Sequence, residues 1–219
     1  MDGRMELQAP SSSENVYLLL ERLVRDNEEI YGASVALEPG AFGYSKGYTS
    51  PYVFRSWNQL VQDDRAKQAT SYFVQDWYSL PQMTKSPVWS EPYRAESRGN
   101  TLMVTYSSPI RDNAGVFRGV VAGDISLEWL SDLLASLPLG KGGYAFLLSK
   151  NGTFITHPNR ELILKENIFS QAEEQKNHQL RALGREMVQG KSGFVSAEKL
   201  FAGQDGWLMY RPIQSTASS

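Results

Sequence analysis

Residues Pro138-Leu139-Gly140-Lys141-Gly142-Gly143 divide this chain, because three glycines and a proline so close together sustain neither a helix nor a strand. With 219 residues in all, the chain can form one large domain or two lobes of roughly 100 residues, and either size buries about two-thirds of its unfolded surface. The elements on the two sides of the break repeat in kind, each half reading strand, strand, helix, strand, strand. That order predicts an α+β fold of two related antiparallel sheets, each backed by helix.

Before the break, Ser11 and Glu14 form a capping-box pattern after Pro10, and Val16, Leu19, Leu20, Leu23 and Val24 recur at helical spacing. A helix over 13–27 is predicted. Tyr31 to Leu37 and Tyr48 to Arg55 read as strands, with Glu38-Pro39-Gly40 as turn chemistry between them. A polar stretch with Asp63, Asp64, Arg65 and Lys67 leads into Tyr72, Phe73, Trp77 and Tyr78, spaced for a helix that Pro81 should stop. Thr101 to Ile110 and Val116 to Ile125 flank the short polar loop 111–115 and predict a hairpin. Leu127 to Leu137 follows as a helix. After the break, Tyr144 to Ser149 and Thr153 to His157 flank Lys150-Asn151-Gly152, an Asn-Gly signal for a type I′ turn. Ser170 to Gln189 reads as one amphipathic helix ending at Gly190, and Phe194 to Ala197 and Trp207 to Pro212 supply two more strands.

Composition excludes several function classes. The net charge is −2, with Lys and Arg scattered, so no positive stripe exists for a phosphate backbone and nucleic acid is not an expected partner. The absence of cysteine excludes disulfides, thiolate metal sites and a Cys nucleophile. The two histidines, His157 and His178, stand apart rather than at zinc-site spacing, so no metal is expected. No Gly-x-Ser-x-Gly elbow is present, and residues 40–47 lack the Lys-Ser/Thr of a phosphate loop, so neither a cofactor nor a nucleotide is expected. The apolar runs Val16 to Leu20 and Val116 to Ala122 are far shorter than the roughly 20 residues that span a bilayer. Residues 1–6 lack the charged-then-apolar order of a signal peptide.

Three stretches carry a family likeness: Asp76-Trp77-Tyr78 followed by Pro81, the run Val120 to Leu127 with Asp124 inside it, and Gly143 to Gly152 leading to His157-Pro158. In this order and spacing they resemble the double Cache family, the PAS-like extracytoplasmic sensor domains of bacterial and archaeal receptors. The resemblance covers about residues 13–213. It implies a long N-terminal helix (residues 1–30), a membrane-distal PAS-like lobe that holds the ligand (31–138) and a membrane-proximal lobe (139–219). It also implies two flanking transmembrane helices, absent from the chain as given, whose polar ending 214–219 suits a boundary ahead of the second. The expected function is that of a small-molecule sensor domain of a histidine kinase, chemoreceptor or similar receptor, outside the cytoplasm and without catalysis.

Within that frame the candidate ligand residues are Trp77, Tyr78, Trp89, Tyr93, Tyr106, Asp124, Gln75, Asp76 and Arg55. Trp77 and Tyr78 combine apolar area with a free N–H and O–H, which suits a pocket wall; the bland alternative is that both rings fill the core. Asp124 lies in an apolar strand and needs a partner, either a ligand ammonium, as the resemblance implies, or a structural donor. Trp89, Tyr93 and Tyr106 match the region where the family lines its pocket. The amino-acid-binding branch carries a carboxylate-clamping Arg two residues before the Trp, and here that position is Gln75, which removes that clamp for an amino acid or related metabolite, so amines or neutral polar metabolites outrank simple dicarboxylates as ligands. Arg55 at a strand end is the alternative clamp. Exchanging Asp124 for Asn should weaken binding more than folding. Two further readings stand beside the sensor: a soluble hydrolase using Asp124 or Asp76, and a PAS-like protein-interaction domain without ligand. A homodimer through the N-terminal helix is a further expectation.

Overall fold

The computed structural model describes residues 13–43, 47–57, 59–67, 72–95, 100–197 and 205–213. Ser11, the expected helix cap, and the polar ending 214–219 lie outside them. The chain divides into two units: residues 1–90 with 105–125, and residues 91–104 with 126–219. The division at 125/126 falls ahead of the 138–143 run, which is loop with Gly140 and Gly142 at positive φ.

In the first unit, helix α1 (Ser13–Asp26) precedes strands β1 (Ile30–Leu37), β2 (Pro51–Ser56) and β3 (Gln59–Asp64). Single-turn 3-10 segments at Arg65–Lys67 and Tyr72–Val74 lead to helix α2 (Asp76–Thr84). Strand β4 (Val88–Trp89) and the antiparallel strands β6 (Thr101–Arg111) and β7 (Phe117–Ser126) complete a sheet of order β3-β2-β1-β7-β6-β4. The β6–β7 hairpin is the one predicted. Its loop is tied by the Asp112 carboxylate, which accepts from the Ala114 and Val116 amides at 3.0 and 2.9 Å, with Arg118 at 2.7 Å holding the other oxygen.

Alternation along the strands gives this sheet two unlike faces. Ala33 and Val53 point to α1 and pack with Val16, Leu20 and Val24 of the apolar stripe read from the sequence, whereas its Leu19 and Leu23 are exposed. The opposite face carries Ser34, Ala36, Tyr52, Val120 and Asp124, all buried. Over it lie Tyr72 and Tyr78, in a cluster with Ala36 and Val120.

Helix α2 does not stop at Pro81. The ring is buried and the helix runs one turn further, to end where Lys85 turns left-handed (φ 59) and donates its N–H to Pro81 O at 3.0 Å. A proline removes one helical donor, a loss this short helix carries because the ring itself packs.

The second unit contains β5 (Tyr93–Ala95), paired with the first residues of β6, then α3 (Leu127–Ala135), the hairpin β8 (Leu147–Leu148) and β9 (Phe154–Thr156), and helices α4 (Ile168–Glu174) and α5 (His178–Val188). The hairpin β10 (Gly193–Ala197) and β11 (Gly206–Tyr210) follows. Ser126 caps α3 by accepting from the Glu128 and Trp129 amides. Phe154, Ile168, Ala172, Leu180 and Leu183 form the core, with Val195 and Leu208 packed against it.

Two local predictions are corrected here. The Asn-Gly turn is not type I′: only Gly152 has positive φ (82), Gly152 N–H bonds Ser149 O at 3.0 Å and Ser149 N–H bonds Thr153 O at 2.9 Å. That is a three-residue loop with glycine in the left-handed position. The helix predicted over 170–189 is two helices, broken where Lys176 turns left-handed (φ 49) and the Asn177 side chain accepts from Leu180 N at 2.9 Å to cap α5. A good N-cap inside a periodic pattern restarts the helix instead of extending it.

Candidate functional site

Asp124 stands on β7, opposite Gly32 of β1, and is 1% exposed. A carboxylate so deep must be paired and hydrogen-bonded, and three donors from distant parts of the chain meet it. Tyr52 of β2 donates its phenol to Oδ2 at 2.8 Å, Thr105 of β6 donates its hydroxyl to Oδ1 at 2.7 Å, and Arg65 brings Nη2 within 2.6 Å of Oδ2. Arg65 is itself buried and also donates through Nη1 to Ser34 Oγ at 3.2 Å. Its guanidinium lies 3.9 Å from the centre of the Tyr52 ring and 5.0 Å from that of Trp77, within the range in which aromatic faces attract a cation.

Local sequence explains how the parts reach one point. Gly32 leaves the strand surface flat, so that the Tyr52 ring crosses it diagonally to Asp124; a Cβ at that position would sit 2.3 Å from the Tyr52 oxygen. The Asp64 carboxylate accepts from Ser50 N and Ala66 N, both at 3.0 Å, and Arg65 N–H bonds Ser50 O at 2.9 Å, which fixes the turn from which the Arg65 side chain enters. Trp77 is placed by α2 and stacks on Tyr72, ring centres 6.1 Å apart.

The sequence-derived candidates divide. Asp124 and Trp77 come together around Arg65. Tyr78 is buried beside them in the core cluster, where its hydroxyl donates to Glu38 Oε1 at 2.6 Å; burial and that carboxylate push its ionisation far up. Burial likewise raises the Tyr72 phenol to about 12, its hydroxyl bonding Leu37 O at 3.0 Å. Gln75 occupies the N-cap position of α2 without a capping bond from its side chain, and Asp76 is exposed in the first turn. Trp89 and Tyr106 are cross-strand neighbours with ring centres 4.9 Å apart, on the face opposite Thr105 and therefore opposite Asp124. Tyr93 belongs to β5 of the second unit, paired with Met103. Arg55 serves the turn out of α1: its guanidinium donates to Val24 O in the last turn, to Asn27 O at 3.1 Å just past it and to Ile30 O at 3.1 Å at the start of β1. It also borders an open depression of about 600 Å³ with Glu21, Arg25 and Trp57.

The residues that sequence reasoning missed are Arg65, Tyr52, Thr105 and Ser34. Ser34 and Tyr52 carried a usable signal, a polar group inside an apolar strand, whereas Arg65 lay in a polar stretch with nothing to distinguish it. Among the described residues no three His, Asp or Glu side chains converge to hold a metal ion, and no helix is long and apolar enough to cross a membrane.

Residues 16–132 match the family model of the methyl-accepting chemotaxis protein-like first PDC sensor domain, and residues 99–212 match that of the Cache 3/Cache 2 fusion domain. This chain belongs to the PDC/Cache sensor-domain family. Among its relatives, the methyl-accepting chemotaxis protein McpA of Pseudomonas putida is 28% identical over 152 residues, which are 68% of this chain and 23% of that protein. PctB of Pseudomonas aeruginosa, also a methyl-accepting chemotaxis protein, is 36% identical over 89 residues, 41% of this chain and 14% of PctB. The chain thus spans less than a quarter of these relatives. Among solved structures, the extracellular domain of mmHK1S-Z3, described as a histidine kinase, superposes with a TM-score of 0.74 at 28% identity, over 91% of this chain and 74% of that one. The sensor domain places its α+β fold as the sequence resemblance implied.

Proposed function

We propose that this sensor domain is the extracytoplasmic part of a membrane receptor, that its first unit, the membrane-distal lobe, binds a small polar ligand at Asp124, and that its second unit is the membrane-proximal lobe. The observation that carries the reading is the buried carboxylate on a sheet face, bonded by the Tyr52 hydroxyl and paired with a cation that lies against the rings of Tyr52 and Trp77. A carboxylate beneath aromatic faces is the lining that selects an ammonium group or several N–H donors. Support comes from structural neighbours of the same fold: PctC in complex with GABA, PctB with L-Arg and with L-Gln, and CtaA with L-leucine, all ligands that carry an amino group. Amines and amino acids therefore lead.

Binding without catalysis fits the two acids named for a hydrolase. Asp124 is neutralised by Arg65, and Asp76 is exposed outside the cluster. The output, a kinase or a chemotaxis transducer, lies beyond this chain, and the ligand acts on it by differential affinity for two arrangements of the receptor. A homodimer through α1 has support in Leu18, Leu19 and Leu23, which remain exposed while Val16, Leu20 and Val24 are buried.

A thermal-shift screen of amines, amino acids, purines and organic acids tests the ligand class, followed by calorimetric titration of the best hit against Asp124→Asn. Hits among amines that disappear with the Asn variant are expected. A response restricted to organic acids would overturn the assignment.

A further inference from the structure

The guanidinium of Arg65 occupies the position that a cationic ligand of this site would take. It lies against the Tyr52 and Trp77 rings at 3.9 and 5.0 Å, bonds the Asp124 carboxylate at 2.6 Å and donates to Ser34 Oγ at 3.2 Å. Every feature that qualifies the cluster to bind an ammonium group is already engaged by a cation of the chain itself. We propose that Arg65 is a tethered cation that fills the ammonium subsite, and that a cationic ligand binds by displacing it. The inference rests on reading the Asp124 cluster as the ligand site.

Electrostatics gives the arrangement its reason. A carboxylate that is 1% exposed cannot stand empty between ligands, because an unpaired buried charge is strongly destabilising. Arg65 supplies the missing charge whenever the subsite holds no ligand. Displacement exchanges one cation for another, so the charge inside the sheet face is constant and the carboxylate is never bare. The guanidinium stays protonated in or out of the site. Only its side chain needs to leave, since its backbone is pinned by the Ser50 and Asp64 bonds at the end of β3. The observed affinity for a ligand is then lowered by the fraction of molecules in which Arg65 holds the subsite.

The experiment uses the whole chain as the wild type, Arg65→Ala, Arg65→Gln and the double variant Arg65→Ala/Asp124→Asn. Methylguanidinium and n-butylammonium chloride are titrated against equal concentrations of sodium chloride, with melting temperature and calorimetry as readouts. The variants should bind the two cations saturably and roughly ten-fold or more tighter than the wild type, and the double variant should lose that binding. Arg65→Gln, which retains a hydrogen-bonding side chain, serves if the Ala variant does not fold. In the wild type, saturating n-butylammonium should move the Arg65 Nε–Hε resonance toward rapid solvent exchange. Equal cation affinity in wild type and variants would overturn the displacement and leave the amine site standing. Saturable binding to neither variant would overturn both. Propionate binding by the wild type that disappears in Arg65→Ala would make Arg65 an anion ligand instead and likewise overturn the inference.

Discussion

Asp124 is the residue on which the first unit turns, since its carboxylate joins β2, β6, β7 and the turn after β3 through the bonds from Tyr52, Thr105 and Arg65. Removing one partner of a buried ion pair typically costs about 3 to 5 kcal/mol, so Asp124→Asn should lower stability measurably as well as binding. The expectation from sequence, that binding would suffer more than folding, is therefore to be tested by calorimetry and urea denaturation side by side. Tyr52→Phe keeps the ring over Arg65 and removes one charge-assisted bond, for an expected loss of about 1.5 to 3 kcal/mol in the same denaturation experiment. An unchanged midpoint would mean that the phenol contributes nothing to holding the carboxylate. The need of Asp124 for a partner was legible from its apolar strand; the identity of that partner was not. Arg55 and Arg65 are equally polar in sequence, and only folding commits the first to the carbonyls between the end of α1 and the start of β1 and turns the second inward.

Elements show where local rules held and where packing overrode them. The helical stripe of α1 and the β6–β7 hairpin follow directly from periodicity and turn residues. Helix α2 passes Pro81, and the helix expected over 170–189 breaks at Asn177, because burial of a ring and a well-placed cap are tertiary and local options that periodicity alone does not rank. Asn177→Ala should cost about 1 kcal/mol by loss of the α5 cap, read as a lowered urea midpoint. In β1, Gly32→Ala would set a methyl group 2.3 Å from the Tyr52 oxygen. The ring must then lift away from Asp124, for an expected loss of roughly 1 to 3 kcal/mol. On α1, Leu19→Glu with Leu23→Glu adds charge to exposed positions and should leave the melting temperature nearly unchanged while abolishing any dimer seen by sedimentation. A dimer that persists would place the interface elsewhere.

At the scale of the whole molecule, pH should act through His157 of the second unit. The imidazole is buried against Phe146 and Phe154, and Nδ1 accepts from Asn159 N–H at 3.0 Å; burial holds its pKa below the ordinary 6.5. The unfolded chain takes up a proton at a higher pH than the folded one. Stability is therefore full above pH 6.5 and falls as pH drops from there through the folded pKa, by at most about 1.4 kcal/mol per pH unit. Denaturation at pH 7.5 and 5.5 should show this slope in the wild type and lose it in His157→Gln. By itself the sequence determined the α+β class, much of the apolar stripe of α1 and the need of Asp124 for a partner, because those rest on periodicity, turn chemistry and the cost of a charge in an apolar strand, while the order of its motifs carried the likeness to the sensor family. Tertiary structure alone decided which side chains meet Asp124. Thr105 reaches it across the β6–β7 hairpin, but Tyr52 and Arg65 are separated from it by 72 and 59 positions, and residues so far apart become neighbours only through the pairing of strands distant in sequence, which no local preference encodes.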